Sequence, residues 1–184
     1  MRIKGIAFKS TVDFVQTFYP ERFQEWINSM SEYAREYYIN PIDISEWYPT
    51  SAFEESRKKL ADLFHDSNYE ASTKIVVRYG AEKAIKGIYK AFITIATTNF
   101  MIARAGNLLS AYYDDADINF LDHTSNFAII RMNKYPCSDK IYEISLCTWI
   151  EVLLEKVGRT EIKIQKICSL ADGDSYSEYH VSWI

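Results

Sequence analysis

The sequence predicts an α+β fold: N-terminal helices and a long central helix packed on a C-terminal antiparallel sheet of order β-α-β-β. It reads as one domain over 1–184, mainly helical over 1–113 and sheet-bearing over 114–184. Three observations predict this. In the first part apolar residues recur at three- and four-residue intervals, the period of amphipathic helices. In the last sixty residues or so they alternate on either side of one long helical stretch, as strands with one buried face require. Six glycines and four prolines among 184 residues are too few for a turn-rich all-β chain, and 48% apolar residues are too many for a disordered one.

The first helix is predicted from Ile6 to Tyr19, with Phe8, Val12, Val15 and Phe18 on one face. Pro20 ends it and suits the first turn of the next helix. That second helix, carrying Phe23, Trp26, Ile27, Met30, Ala34 and Tyr37, is expected to run unbroken to Ile39-Asn40-Pro41. Pro41 to Thr50 is a connector, pinned to the body by Trp47 and Tyr48. Ser51 and Glu54 have the spacing of a capping box that opens a helix to about His65, with Phe53, Leu60, Leu63 and Phe64 inward. A helix from Tyr69 to Tyr79 is expected to end at Gly80 as a C-cap. Ala81 to Tyr113 is the longest helical pattern, and Gly87 and Gly106 inside it each cost about 1 kcal/mol relative to alanine. Gly106 reads either as a packing glycine or as a bend.

Asp114, Asp115 and Asp117 are expected to end that helix in a solvated loop. A strand over Asn126–Met132 follows, then a helix from Asp139 to Lys156. The chain closes on a hairpin of Glu161–Leu170 and Tyr176–Ile184 through Asp172-Gly173, in a loop longer than two residues. Alternation sets Tyr179, Val181 and Trp183 on one face, which makes Trp183 a core anchor. This unit cannot bury its own apolar face, so it needs the upstream helices as a lid, and a lid over a sheet makes a pocket.

Composition and motifs exclude several classes. Net charge is −4, and the longest basic run is Arg57-Lys58-Lys59, so no electrostatic footprint for nucleic acid is present. Ala91 to Ala103 is interrupted by Thr94, Thr97, Thr98 and Asn99, too polar and short for a membrane span. The amino terminus does not read as a signal peptide, and Cys137, Cys147 and Cys168 do not form a disulfide framework, so a cytoplasmic setting is expected. His65, His123 and His180 lie far apart with no metal-ligand spacing. Asp115, Asp117 and Asn119 resemble the start of a calcium loop, but Phe120 and Asn126 stand where its glycine and glutamate belong. No nucleophile elbow, P-loop, dinucleotide fingerprint or acid/base carboxylate pair occurs, so no enzyme is expected. Arg78 and Arg104 are cations that could meet a ligand anion or pair with a carboxylate. The 14 tyrosines suit either an amphipathic interior or an interface.

Several segments resemble one superfamily. Met1-Arg2-Ile3-Lys4-Gly5-Ile6 is similar to the opening segment of heme-nitric-oxide/oxygen-binding (H-NOX) domains, whose superfamily also holds 4-vinyl-reductase-type domains and TRAPP subunits. Tyr38-Ile39-Asn40-Pro41-Ile42-Asp43-Ile44 is similar to its Pro-centred segment, Tyr79-Gly80 through Phe92 to its Gly-containing helix, and Tyr135 to Gly158 to its tyrosine-led helix. A group of myxobacterial proteins with the same fold also ends on a Tyr-x-Val-x-Trp strand. The resemblance covers nearly the whole chain. It implies a sensory domain, and its heme-binding members clamp the propionates with Tyr-x-Ser-x-Arg. Here those positions hold Tyr135, Cys137 and Asp139, and the helix around Phe100 to Ala111 lacks the family's proximal histidine. Heme is therefore disfavoured and no cofactor is expected.

The resemblance and the apolar stripe together lead to a non-heme sensory or ligand-binding module. It would take a small apolar or amphipathic ligand between the long helix and the terminal sheet, or relay a signal to a partner protein. The residues chosen for the pocket are Phe100, Arg104, Leu108 and Tyr135. The alternative is a ligand-free interaction or homodimerisation scaffold whose surface is built on Trp26, Trp47 and the surplus tyrosines. A heme-based gas sensor is the reading that the missing residues argue against.

Overall fold

The computed structural model describes residues 1–86, 112–135 and 140–184. It is α+β. A first strand, β1 (Arg2–Lys4), leads directly into α1 (Gly5–Phe18). A 3-10 turn at Pro20–Arg22, α2 (Phe23–Ser29) and α3 (Glu32–Ile39) follow. Then come β2 (Trp47–Pro49), α4 (Thr50–Phe64) and α5 (Tyr69–Lys86). The second part consists of β3 (Asp117–His123), β4 (Phe127–Lys134), α6 (Ile141–Lys156), β5 (Lys163–Cys168) and β6 (Ser177–Ser182). Its four strands are antiparallel in the order β3-β4-β6-β5. The sequence-predicted helix beyond Lys86, with Gly87 and Gly106, lies outside the described residues.

The apolar periods explain most of these elements. On β4 the inward residues are Ala128, Ile130 and Met132; on β6 they are Tyr179 and Val181, continued by Trp183. Trp183 also donates its indole N–H to the Ser125 carbonyl at 2.9 Å, which pins the last strand to the β3–β4 turn. Arg131 and Glu178 stand directly opposite on the outer face and are bonded at 2.6 Å, a cross-strand ion pair. Gly173, at φ +97°, supplies the left-handed turn after a short 3-10 segment, in the longer-than-two-residue loop the sequence implies.

α6 is buried on all sides: Tyr142, Leu146 and Ile150 join the main core, and Val152 packs with Ala81 and Ile85 of α5. A helix apolar all round has to be covered twice. α5 covers one side. On the other, Glu143 accepts hydrogen bonds from Ser169 and Ser177 at the β5–β6 end of the sheet.

Three expectations are corrected. The predicted second helix is two helices: Met30 is extended, and Ser31 caps α3 by accepting the Ala34 N–H at 3.2 Å. Glu55 of α4 receives both the Ser31 N–H, at 2.5 Å, and its hydroxyl, at 2.8 Å, and so holds the break. Gly80 does not end a helix. α5 passes through it because α1 crosses there, where a Cβ would lie 2.5 Å from Ser10 Oγ. Ser51 and Glu54 form no capping box: α4 begins one residue earlier, and Glu54 accepts the Tyr142 hydroxyl at 2.8 Å instead. The Asp114–Asp117 run is an exposed turn, as the sequence implies, and its last residue opens β3, a strand not expected from the sequence. Asp114 pairs with Arg2, Asp115 with Lys134, and Asp117 accepts the Asn133 amide.

The two tryptophans expected to anchor an interaction surface are placed differently. Trp26 is fully buried, donates to the Ser56 carbonyl at 3.0 Å and meets Tyr38 edge-on at 5.3 Å. Trp47 lies under the Lys4 ammonium at 3.7 Å. Trp26 is therefore not available to an interaction surface, whereas Trp47 is half-buried at the surface.

The tightest joint is at Gly5. β2 pairs with β1, residues 41–46 pass over the start of α1, and Gly5 donates to the Glu46 carbonyl at 2.9 Å. A Cβ on Gly5 would lie 2.0 Å from the Asp43 carbonyl oxygen and 2.7 Å from the Tyr48 ring, so only glycine fits. Gly5→Ala is expected to lose about 1–3 kcal/mol or more of stability in urea unfolding, as overpacking against fixed backbone does. Gly80→Ala, meeting a side chain that can rotate, should stay within about 1 kcal/mol of wild type. Trp183→Ala should lose about 3–5 kcal/mol.

Candidate functional site

Because α6 is covered by helices on one side, the helices around it have to meet over its aromatic face, and they do not close completely. A cavity of about 70 Å³ remains where α1, α4, α5 and α6 converge. Ala7 and Ser10 of α1, Phe53 and Arg57 of α4, Val76 and Gly80 of α5, and Leu146 and Trp149 of α6 line it. Tyr112, Tyr113 and Tyr135 close one end. Gly80 contributes twice: it lets α1 and α5 approach, and it leaves backbone facing the space.

The tyrosines form one network. Tyr113 meets Tyr135 edge-on at 4.7 Å and Tyr142 at 5.8 Å. Tyr135 donates to the Tyr142 carbonyl at 3.3 Å. Burial pushes the Tyr113 hydroxyl up to about 12, and the hydroxyls of Tyr135 and Tyr142 well up also, so all three stay neutral at physiological pH.

Arg57 is the charged group in this wall. It is 4% exposed. One Nη2 bond goes to the Thr73 carbonyl at 3.2 Å, the guanidinium lies 5.6 Å from the Phe53 ring centre, and Nε is buried without any partner. Among the described residues it makes no ion pair. Burial lowers its pKa to about 10, opposed by the neighbouring Tyr38, Tyr113 and Tyr142, so it is cationic at neutral pH. Sequence reasoning assigned Arg57 to a basic surface run and missed it. The signal was present: Arg57 stands four residues after Phe53 and three before Leu60, on the apolar face of α4.

Of the four residues the sequence singles out, Tyr135 lies in the cavity wall; Phe100, Arg104 and Leu108 lie outside the described residues, as do Cys137 and Asp139. Arg78 is not in the wall. It joins α5 to α6 through Glu155 at 2.6 Å and Glu151 at 2.8 Å. Cys147 is half-buried on the sheet side of α6, and burial pushes its thiol up to about 12, which leaves it protonated and unreactive.

No histidine lines the cavity among the described residues. His65 sits between the Tyr19 hydroxyl at 3.2 Å and Ser72 Oγ at 2.8 Å, and His180 is bonded to Glu178 at 3.1 Å. Among the described residues, no group of three or more His, Cys, Asp and Glu side chains could hold a metal ion, and no helix is long and apolar enough to cross a membrane.

No protein-family model matches the sequence, and no curated protein is detectably similar to it. Solved structures are similar in fold. The Fe(II) unliganded H-NOX protein from K. algicida aligns with TM-score 0.75 at 14% identity, over 99% of this chain and 97% of that one. An H-NOX protein from S. oneidensis in the Fe(II)NO ligation state aligns with TM-score 0.77 at 10% identity, over 99% of both chains. A structure from work on heme distortion in the H-NOX family aligns with TM-score 0.67 at 11% identity, over 98% of this chain and 95% of that one. The chain therefore has the H-NOX fold, as its sequence resemblance implied.

His65 gives a pH test of the packing beside Arg57. Burial, then the Arg57 charge, lowers its pKa from the ordinary 6.5. The unfolded chain thus takes up the proton first. The contribution of neutral His65 is complete above about 6.5 and is lost as pH falls through that value towards the folded pKa. Urea midpoints measured from pH 7.5 to 5 should fall in wild type and fall less steeply in His65→Gln.

Proposed function

We propose that this chain is a sensory or ligand-binding domain that uses the H-NOX fold without family-type heme, taking a small ligand into the cavity between α1, α4, α5 and α6. The ligand would favour one packing of these helices around α6, and a partner protein would read that state. The observation that carries this reading is the cavity wall. It combines a largely apolar body with a few convergent polar groups, the composition of a ligand site rather than of a filled core.

The residues present do not fit heme. A heme iron takes an axial His, Cys, Met or Tyr. The described wall holds no His, Cys or Met, and the residues outside the described ones, which include Tyr89, Met101 and Cys137, contain no His. Tyr113 and Tyr135 are held neutral by burial, which opposes a tyrosinate ligand. The remaining space is also about half of a 150 Å³ cavity that accepts benzene.

Protein expressed with heme precursor and iron supplied should show no Soret band and should not take up hemin in a one-to-one complex. A stoichiometric hemin adduct with a defined ligation spectrum would contradict the non-heme reading. Native mass spectrometry of protein from its own host should show a small adduct. A bare chain mass, with no melting shift across small-molecule probes, would favour the interaction-scaffold alternative.

A further inference from the structure

Taking the cavity as a ligand site, we propose that Arg57 makes it an anion site, and that its ligand is a small monoanion, a planar carboxylate or oxyanion of about three or four heavy atoms. A buried guanidinium costs several kcal/mol unless it is paired and hydrogen-bonded. Arg57 is buried with one hydrogen bond to the Thr73 carbonyl, and its Nε–H points at nothing. A guanidinium carries five N–H donors, so most of its capacity is unused.

Among the described residues no carboxylate pairs with Arg57. Glu54, three residues earlier on α4, accepts the Tyr142 hydroxyl. The tyrosines around the guanidinium are neutral. Outside the described residues the sequence contains a single carboxylate, Asp139; residues 87–111 contain none. An external anion supplies what is missing, and a planar one can take two guanidinium N–H groups at once. Ser10, Ser145 and Tyr112 line the same space and bring further hydroxyls. The volume sets the size: about 70 Å³, against 150 Å³ for a cavity that holds benzene, leaves room for half as many heavy atoms.

The test compares sodium acetate with acetamide, its neutral isostere, by thermal shift and calorimetry at fixed ionic strength, with nitrate and octanoate as further arms. Acetate or nitrate should bind wild type saturably and at least tenfold more tightly than acetamide. Arg57→Gln should remove that preference, Arg57→Lys should weaken it, and Asp139→Asn should leave it unchanged. If Arg57→Gln does not fold, the acetate-to-acetamide ratio in wild type and the Arg57→Lys variant decide. Tighter binding of octanoate than of acetate would show that the anion is the head of a longer ligand and would overturn the size assignment. Equal stabilisation by acetate and acetamide would overturn the anion assignment while leaving the cavity a ligand site. Binding of no probe would sink both readings. An acetate preference that rises in Asp139→Asn would assign Arg57 to an internal pair and overturn the proposal.

Discussion

The structure depends on one constraint: α6 is apolar around its whole circumference and has to be covered on two sides. The four-stranded sheet covers one side, and α5, tied on by Arg78 to Glu151 and Glu155, covers the other. α1 reaches the same region because Gly5 lets the backbone at Asp43 pass over its start, and it crosses α5 at Gly80, against the Ser10 side chain. Helices brought together by such small-residue contacts cannot interdigitate completely, and the remaining space is bounded by the large rings of Tyr113, Tyr135, Phe53 and Trp149. The cavity is thus a consequence of how a doubly buried helix is covered.

The electrostatics of that space follow from the same packing. The α4 stripe that covers the tyrosine cluster includes Arg57, so packing α4 buries a cation. Its neighbours answer with hydroxyl oxygens and a carbonyl rather than with a carboxylate. Tyrosine hydroxyls soften the cost of the buried charge but stay neutral, so the site keeps a net positive charge in a low-dielectric setting, where attraction for an anion is strongest.

Much of the fold was legible in the sequence because it is written in periods: alternation for β4 and β6, helical spacing for α1 and α6, and Asp-Gly with Trp183 for the closing hairpin. What was not legible depended on contacts across the chain. Ser31 looked like one more residue in a helical run until Glu55 of another helix held it as a cap. Gly80 reads as a helix stop unless α1 is known to cross there. β3 was hidden because it is an edge strand with little buried surface and a register shift between Phe120 and Asp122, which disturbs its alternation. In the site, Tyr135 was found through the family resemblance, which puts a tyrosine ahead of the last helix. Arg57 was lost inside a basic triplet although its position on the apolar face of α4 was available.

The central claim, a buried cation that faces the cavity and makes no ion pair among the described residues, is tested most directly on the Arg57 side chain itself. In ¹⁵N-labelled protein the Nε–H resonance of Arg57 can be assigned by its disappearance in Arg57→Lys. The account predicts a signal protected from solvent exchange that moves saturably as acetate is added and stays still with acetamide. A signal already fixed at a carboxylate-bonded position, which no anion moves and which Asp139→Asn releases, would contradict it.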